Sequence, residues 1–174
     1  MKLLLKIGTF LFFLAFLLGS CEEIVSYPEI PAIDYQSFEL FTTTDALGNN
    51  ILLGKLNFNF TDGDGDLGLE EPDSTDMPDS LLYNLYLSLY EKIDTGFVKV
   101  EDLSSLSFRV PYIERNGQNK TLTGVITIDL EYKIIEYDTF FYTFYIVDRQ
   151  FNKSNVDSSE VLIFTGISLD GDGN

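Results

Sequence analysis

The chain has no histidine and no tryptophan, a single cysteine among 174 residues, and only 11 lysines and arginines. Each shortage removes a class of function. Without histidine there is no Ser-His-Asp or Cys-His catalytic arrangement and no His-containing zinc site, and one cysteine allows no internal disulfide. The missing tryptophan and disulfide also exclude an antibody-type domain, whose core is built on both. The basic residues face 28 acidic ones, for a formal net charge of -17, and a surface of that sign repels phosphate backbones, so no nucleic-acid partner is expected. Chemistry is left to carboxylates, lysines and hydroxyls. Apolar residues are ample, at 45% of the chain with 15 Phe and 10 Tyr, enough for one core.

The first 20 residues read as a secretory signal. Lys2 and Lys6 give a positive start, and Ile7 to Leu18 is an uncharged apolar run of about 12 residues, short of the ~20 needed to cross a bilayer, so cleavage is expected. Leu18-Gly19-Ser20-Cys21 then resembles the lipobox of bacterial lipoproteins. The resemblance implies that Cys21 receives a diacylglycerol on sulfur, that the bond before it is cut, and that the new amino terminus is acylated. Gly19 and Ser20 are small enough for a narrow peptidase groove, and the cysteine supplies the thiolate nucleophile. Each buried lipid methylene contributes ~0.8 kcal/mol to attachment. The competing reading is a lone thiol after an ordinary signal peptide, which exported proteins usually avoid.

Cleavage leaves 9 basic against 28 acidic residues. Glu22 and Glu23 resemble the acidic signal that sends some lipoproteins of Bacteroidota-type bacteria to the outer face of the outer membrane; they serve equally well to solvate the start of a tether. Residues 21–33, with Pro28 and Pro31, read as the lipidated cysteine followed by an extended tether of ~30 Å at ~3.1 Å per residue. The expected location is the outer membrane, lipid-anchored, on its periplasmic or cell-surface side.

Residues 34–167 are expected to form an all-β domain, an immunoglobulin-like β-sandwich of about eight strands. Leu56, Phe58 and Phe60 alternate with Lys55, Asn57 and Asn59, and Ile126, Ile128 and Leu130 alternate with Thr127 and Asp129. Phe140 to Val147 is apolar on both faces, as a central strand would be. Leu106 to Ile113 alternates too, but Pro111 confines it to an edge. Asn116-Gly117 and Asp94-Thr95-Gly96 supply hairpin turns, and Ser37 to Thr43 and Ser159 to Thr165 complete the set. Leu81 to Tyr90 fits either a helical face or a strand carrying Leu85, Leu87 and Leu89, and its tyrosines favour the strand.

One constellation carries chemistry. Asp62-Gly63-Asp64-Gly65-Asp66-Leu67-Gly68 sets three carboxylates at alternate positions, with glycines that let the backbone curl until all three face one point. A hard cation with oxygen ligands, Ca²⁺ before others, resolves their repulsion. The run resembles the opening of an EF-hand loop but carries Leu67 where glycine belongs, which favours a strand-to-strand loop over a helix-loop-helix hand. Asp73 stands where the terminal bidentate acid falls, with Glu70, Glu71 and Asp76 nearby. A flexible acidic loop that only solvates the domain is the equal competitor. Residues 168–174 repeat the Asp-Gly spacing but read as a frayed acidic tail.

Phe58-Asn59-Phe60-Thr61 followed by this loop resembles small lipoproteins of Bacteroidota-type bacteria that carry Phe-x-Phe-x-Asp-Gly-Asp-Gly-Asp-(Leu/Ile)-Gly on one strand and loop, and Val147-Asp148-Arg149 through Asn155 resembles the late-strand turn of immunoglobulin-like domains. The resemblance implies address and fold. It leaves Asp148 as either a fourth metal ligand or a turn cap. The expected function is a non-catalytic, lipid-anchored binding or assembly module of the cell envelope, its partners the membrane and an envelope protein or glycan. The alternatives are a glycan hydrolase using acids near Glu70 to Asp76 and a glycan-binding lipoprotein using Tyr83, Tyr86 and Tyr90, which are otherwise expected in the core. Asp73-Ser74-Thr75 and Asp79-Ser80-Leu81 resemble bacterial O-glycosylation triplets, which an Asp- and Ser-rich chain also contains by chance.

Overall fold

Period-two alternation becomes two antiparallel sheets in the computed structural model, which describes residues 27–72, 78–101, 106–114, 120–134 and 136–164. In the first sheet β2 (Asn50–Asp62) lies between β1 (Ala32–Thr44) and β6 (Leu122–Tyr132). In the second, β3 (Leu85–Ile93) and β7 (Thr139–Ile146) form the centre. β4 (Gly96–Lys99) and β5 (Ser107–Phe108) flank β3, while β8 (Asp157–Ser158) and β9 (Leu162–Ile163) flank β7. One helical turn, α1 (Asp79–Leu82), precedes β3. The all-β class is as expected. The first strand begins at Ala32, inside the stretch assigned to the tether, because Ala32 and Ile33 pair with Thr61 and Phe60.

The sheets pack face to face through the positions that alternation selects. Leu56, Phe58 and Phe60 of β2 share one core with Leu85, Leu87 and Leu89 of β3 and with Phe140, Phe144 and Ile146 of β7. Phe58 and Phe144, both fully buried, bring their rings to 5.0 Å across the layers. Burying such a ring stabilises by roughly 1.5–3 kcal/mol, so these pairs rather than surface charges hold the layers together.

Two asparagines close the seams that strands alone leave open. Asn84 accepts from Val110 N–H through Oδ1 (2.7 Å) and donates to Val110 O through Nδ2 (3.4 Å), fixing the segment after β5. Asn155 does the same for Ile33 N–H and C=O, each at 2.9 Å, and Asp157 accepts from Tyr35 N–H at 2.6 Å. At the start of β1, the outer-edge polar groups of Ile33 and Tyr35 are thereby satisfied by side chains that follow β7.

Several expectations need correction. Tyr83, Tyr86 and Tyr90 are not core residues: Leu85, Leu87 and Leu89 take the inward positions of β3, so Tyr86 and Tyr90 face outward, and Tyr83 is 36% exposed. Residues 106–113 are a strand only at β5, and Pro111 instead sits in a parallel bridge with Leu69. β7 is central, but its outer face carries half-buried Phe141, Thr143 and Tyr145 with no layer packed on it from the described residues. The Asn116-Gly117 turn and the 168–174 tail lie outside the described residues.

The Tyr132 and Tyr142 hydroxyls lie 3.0 Å apart between the sheets. Burial raises both pKa values, that of Tyr142 to about 12. An unfolded tyrosine ionises near pH 10, so above about pH 10 the unfolded chain loses protons that the folded one keeps, and stability falls as pH rises. The expected outcome is a urea midpoint that drops between about pH 10 and 12, with a shallower drop in Tyr132→Phe; parallel slopes would contradict it.

Candidate metal centre

The acidic loop leaves the end of β2, where Asp62 is the last strand residue and is fully buried. Its Oδ2 accepts a 2.7 Å hydrogen bond from Leu67 N–H, which folds the four intervening residues into a closed turn. Leu67 is fully buried beneath it. This explains the departure from the EF-hand pattern: the position that would be glycine is used as a hydrophobic plug. Gly65 has a φ of 67°, the left-handed conformation that turns the chain between Asp64 and Asp66.

The turn brings one carboxylate oxygen from each of Asp62, Asp64 and Asp66 within 4.8 Å of the others. These three residues could hold a metal ion. Asp62 Oδ1 and Asp66 Oδ1 are buried and have no hydrogen-bond partner. Leaving such oxygens unpaired is costly, which is the condition a cation relieves. Burial is the main cause that pushes the Asp62 pKa up to about 6, and the carboxylates of Asp64 and Asp66 add to it against the opposing Leu67 N–H. Asp66 is raised as well, by burial first and then by the charges of Asp148 and Asp64.

Three segments clasp the loop. Arg149 donates from its backbone N–H to Asp66 O (3.4 Å) and from Nη1 to Gly68 O (3.0 Å), while Gln150 Nε2 donates to Asp64 Oδ2 at 2.6 Å. On another side, Leu69 N–H donates to Val110 O and Tyr112 N–H to Leu69 O. On the third, Gly63 N–H donates to Pro28 O at 3.0 Å. A Cβ at Gly63 would lie 2.3 Å from the Tyr27 and Pro28 carbonyl oxygens, and one at Gly68, where φ is +94°, 2.4 Å from Pro111 O. Gly63→Ala is therefore expected to destabilise the fold by about 1–3 kcal/mol by overpacking, and Gly68→Ala by ~1–2 kcal/mol more through left-handed strain. Urea melts of the two variants check this, and wild-type midpoints would refute the clasp.

Of the site residues read from sequence, Asp62, Asp64 and Asp66 converge. Asp148 is 2% exposed and sits beside them, with both oxygens accepting from Asn152, Oδ1 from its N–H and Oδ2 from its side-chain amide. It thus caps the turn that delivers Arg149 and Gln150. Asp73 and Asp76 lie outside the described residues, as does Cys21. Glu70 and Glu71 are exposed. Arg149, Gln150 and Pro28 were not read from the sequence as neighbours of the loop, since the turn after β7 and the segment before β1 reach it only in the folded chain. Compared with protein-family models, curated proteins and solved structures, the chain finds no significant match.

Proposed function

We propose that the protein is a lipid-anchored, non-catalytic module of the cell envelope whose Asp62–Asp66 loop binds Ca²⁺ and is stiffened by it. The observation that carries the metal reading is Asp62: a fully buried carboxylate with one oxygen unpaired, facing two more carboxylates. Alternating carboxylates on a glycine-bearing turn match the oxygen-only, irregular shell that Ca²⁺ accepts more readily than Mg²⁺. Extracellular modules of this kind bind at ~10⁻⁴–10⁻³ M. A bound ion would offset the repulsion within the triad and set the positions of the three clasping segments, one of which is the end of the tether.

The anchor reading rests on Leu18-Gly19-Ser20-Cys21 after an uncharged apolar run. It places the protein in the outer membrane through acyl chains on Cys21, with the sandwich presented as a binding or assembly surface. Metabolic labelling with an alkynyl palmitate is expected to mark the chain and to fail in Cys21→Ala. Equal labelling of the two would remove the anchor.

A further inference from the structure

We propose that the outer face of the β4-β3-β7 sheet is a membrane-docking surface that lies against an anionic phospholipid bilayer; the proposal rests on the lipid-anchor reading. Cross-strand register puts the aromatic side chains in pairs. Tyr86 stacks on Tyr145 with ring centres 5.2 Å apart, and Tyr90 on Phe141 at 5.0 Å and 9° between planes. Phe97, 41% exposed, meets Phe141 edge-on. Ser88 and Thr143 face each other between the two pairs.

Charge separates this face from the rest of the molecule. Lys92 opposes Phe97 and Lys99 opposes Tyr90, so both lysines share the aromatic side, and Lys153 Nζ sits 3.6 Å over the Tyr145 ring. None of the outward positions of β3, β4 and β7 is a carboxylate, in a chain with 28 acids. Glu101, just past β4, reaches Lys99 at 3.9 Å. The outer face of the other sheet instead sets Glu39 and Asp129 on either side of Lys55. Lysines with Tyr and Phe are the side chains that favour the interface of an anionic bilayer. Stacking occupies one face of each ring in the two pairs, and Lys153 lies over Tyr145, which leaves less ring face open to a sugar or base.

The tether joins the domain at the Tyr86–Tyr145 end of this face, and Lys92 and Phe97 lie toward its other end. Tyr27 is six residues on from Cys21, at most ~20 Å of chain. Tyr27 lies beside the Asp62–Asp66 loop, at the end of the sandwich where β7 delivers Tyr145 and where Arg149 meets Asp66. An anchored domain meets the bilayer at a high effective concentration, so a face of weak intrinsic affinity docks.

Because the chain has no tryptophan, Phe97→Trp gives a lone reporter, and Val125→Trp, at an exposed position of β6, gives its control. The processed, lipidated chains are reconstituted in vesicles of zwitterionic and anionic phospholipid, with and without brominated acyl chains. Flotation reports the anchor, and quenching reports docking. The expected result is flotation of both variants, at least threefold stronger quenching of the Phe97→Trp indole than of the Val125→Trp indole, and loss of the difference when Lys92, Lys99 and Lys153 become Glu. Flotation with equal or absent quenching overturns the docking proposal and leaves the anchor standing. Failure to float overturns both. An emission shift of the Phe97→Trp indole with a soluble acidic polysaccharide or single-stranded DNA, but not with vesicles, would reassign the face to that ligand.

Discussion

Asp62→Asn is expected to abolish the stabilisation by Ca²⁺ while leaving the metal-free protein at least as stable as wild type at pH 7. The amide keeps an oxygen for Leu67 N–H and removes a charge that burial and two neighbouring carboxylates disfavour. Wild type should gain RT ln(1 + [Ca²⁺]/Kd), about 2.7 kcal/mol at a hundredfold excess over Kd, and the variant nothing measurable. The pH dependence has a defined sign. In EGTA, the folded-state pKa of Asp62, near 6, lies above the ordinary carboxylate value of 3.8, so the folded state holds its proton more tightly. The contribution of Asp62 to stability without metal is therefore fully present below about pH 4 and is lost as pH rises through 6. Binding of Ca²⁺ requires the ionised ligands, so saturating metal should reverse that trend. Melting curves at pH 4.5 and 7, with EGTA and with Ca²⁺, check both statements; a metal-independent profile would contradict them.

The second large effect concerns the core. Phe58→Ala should destabilise by about 3–5 kcal/mol, because a fully buried ring leaves a cavity between two layers that cannot close independently. Phe97→Ala, on the exposed face of a four-residue edge strand, should cost under ~1 kcal/mol. Denaturant unfolding of the pair tests which faces of β2 and β4 point inward, and similar losses would mean that the register is wrong.

Much of this arrangement was legible where one periodic signal dominated. Leu56, Phe58 and Phe60 read as inward positions because Lys55, Asn57 and Asn59 mark the other face. The alternating acids read as a site because their spacing and glycines are local properties of the seven residues from Asp62 to Gly68. Tyr86 and Tyr90 were misread because aromatic residues suit both a core and a stacked outer face, and only the pairing of β3 with β7 decides between them. β8 and β9 are two residues each, too short to show a period. The clasp on the loop was hidden for a related reason. Pro28 and Gln150 touch Gly63 and Asp64 through folding of distant segments, and neither has a side-chain type that announces a partner.

The most direct measurement is calorimetric titration of the soluble chain from Glu22 onward with Ca²⁺ after exhaustive treatment with chelator. The account requires binding of one ion per chain with Kd at or below the millimolar range, weakened at least tenfold in Asp64→Ala. Absence of heat up to several millimolar Ca²⁺, with wild-type and variant traces superimposable, would contradict it.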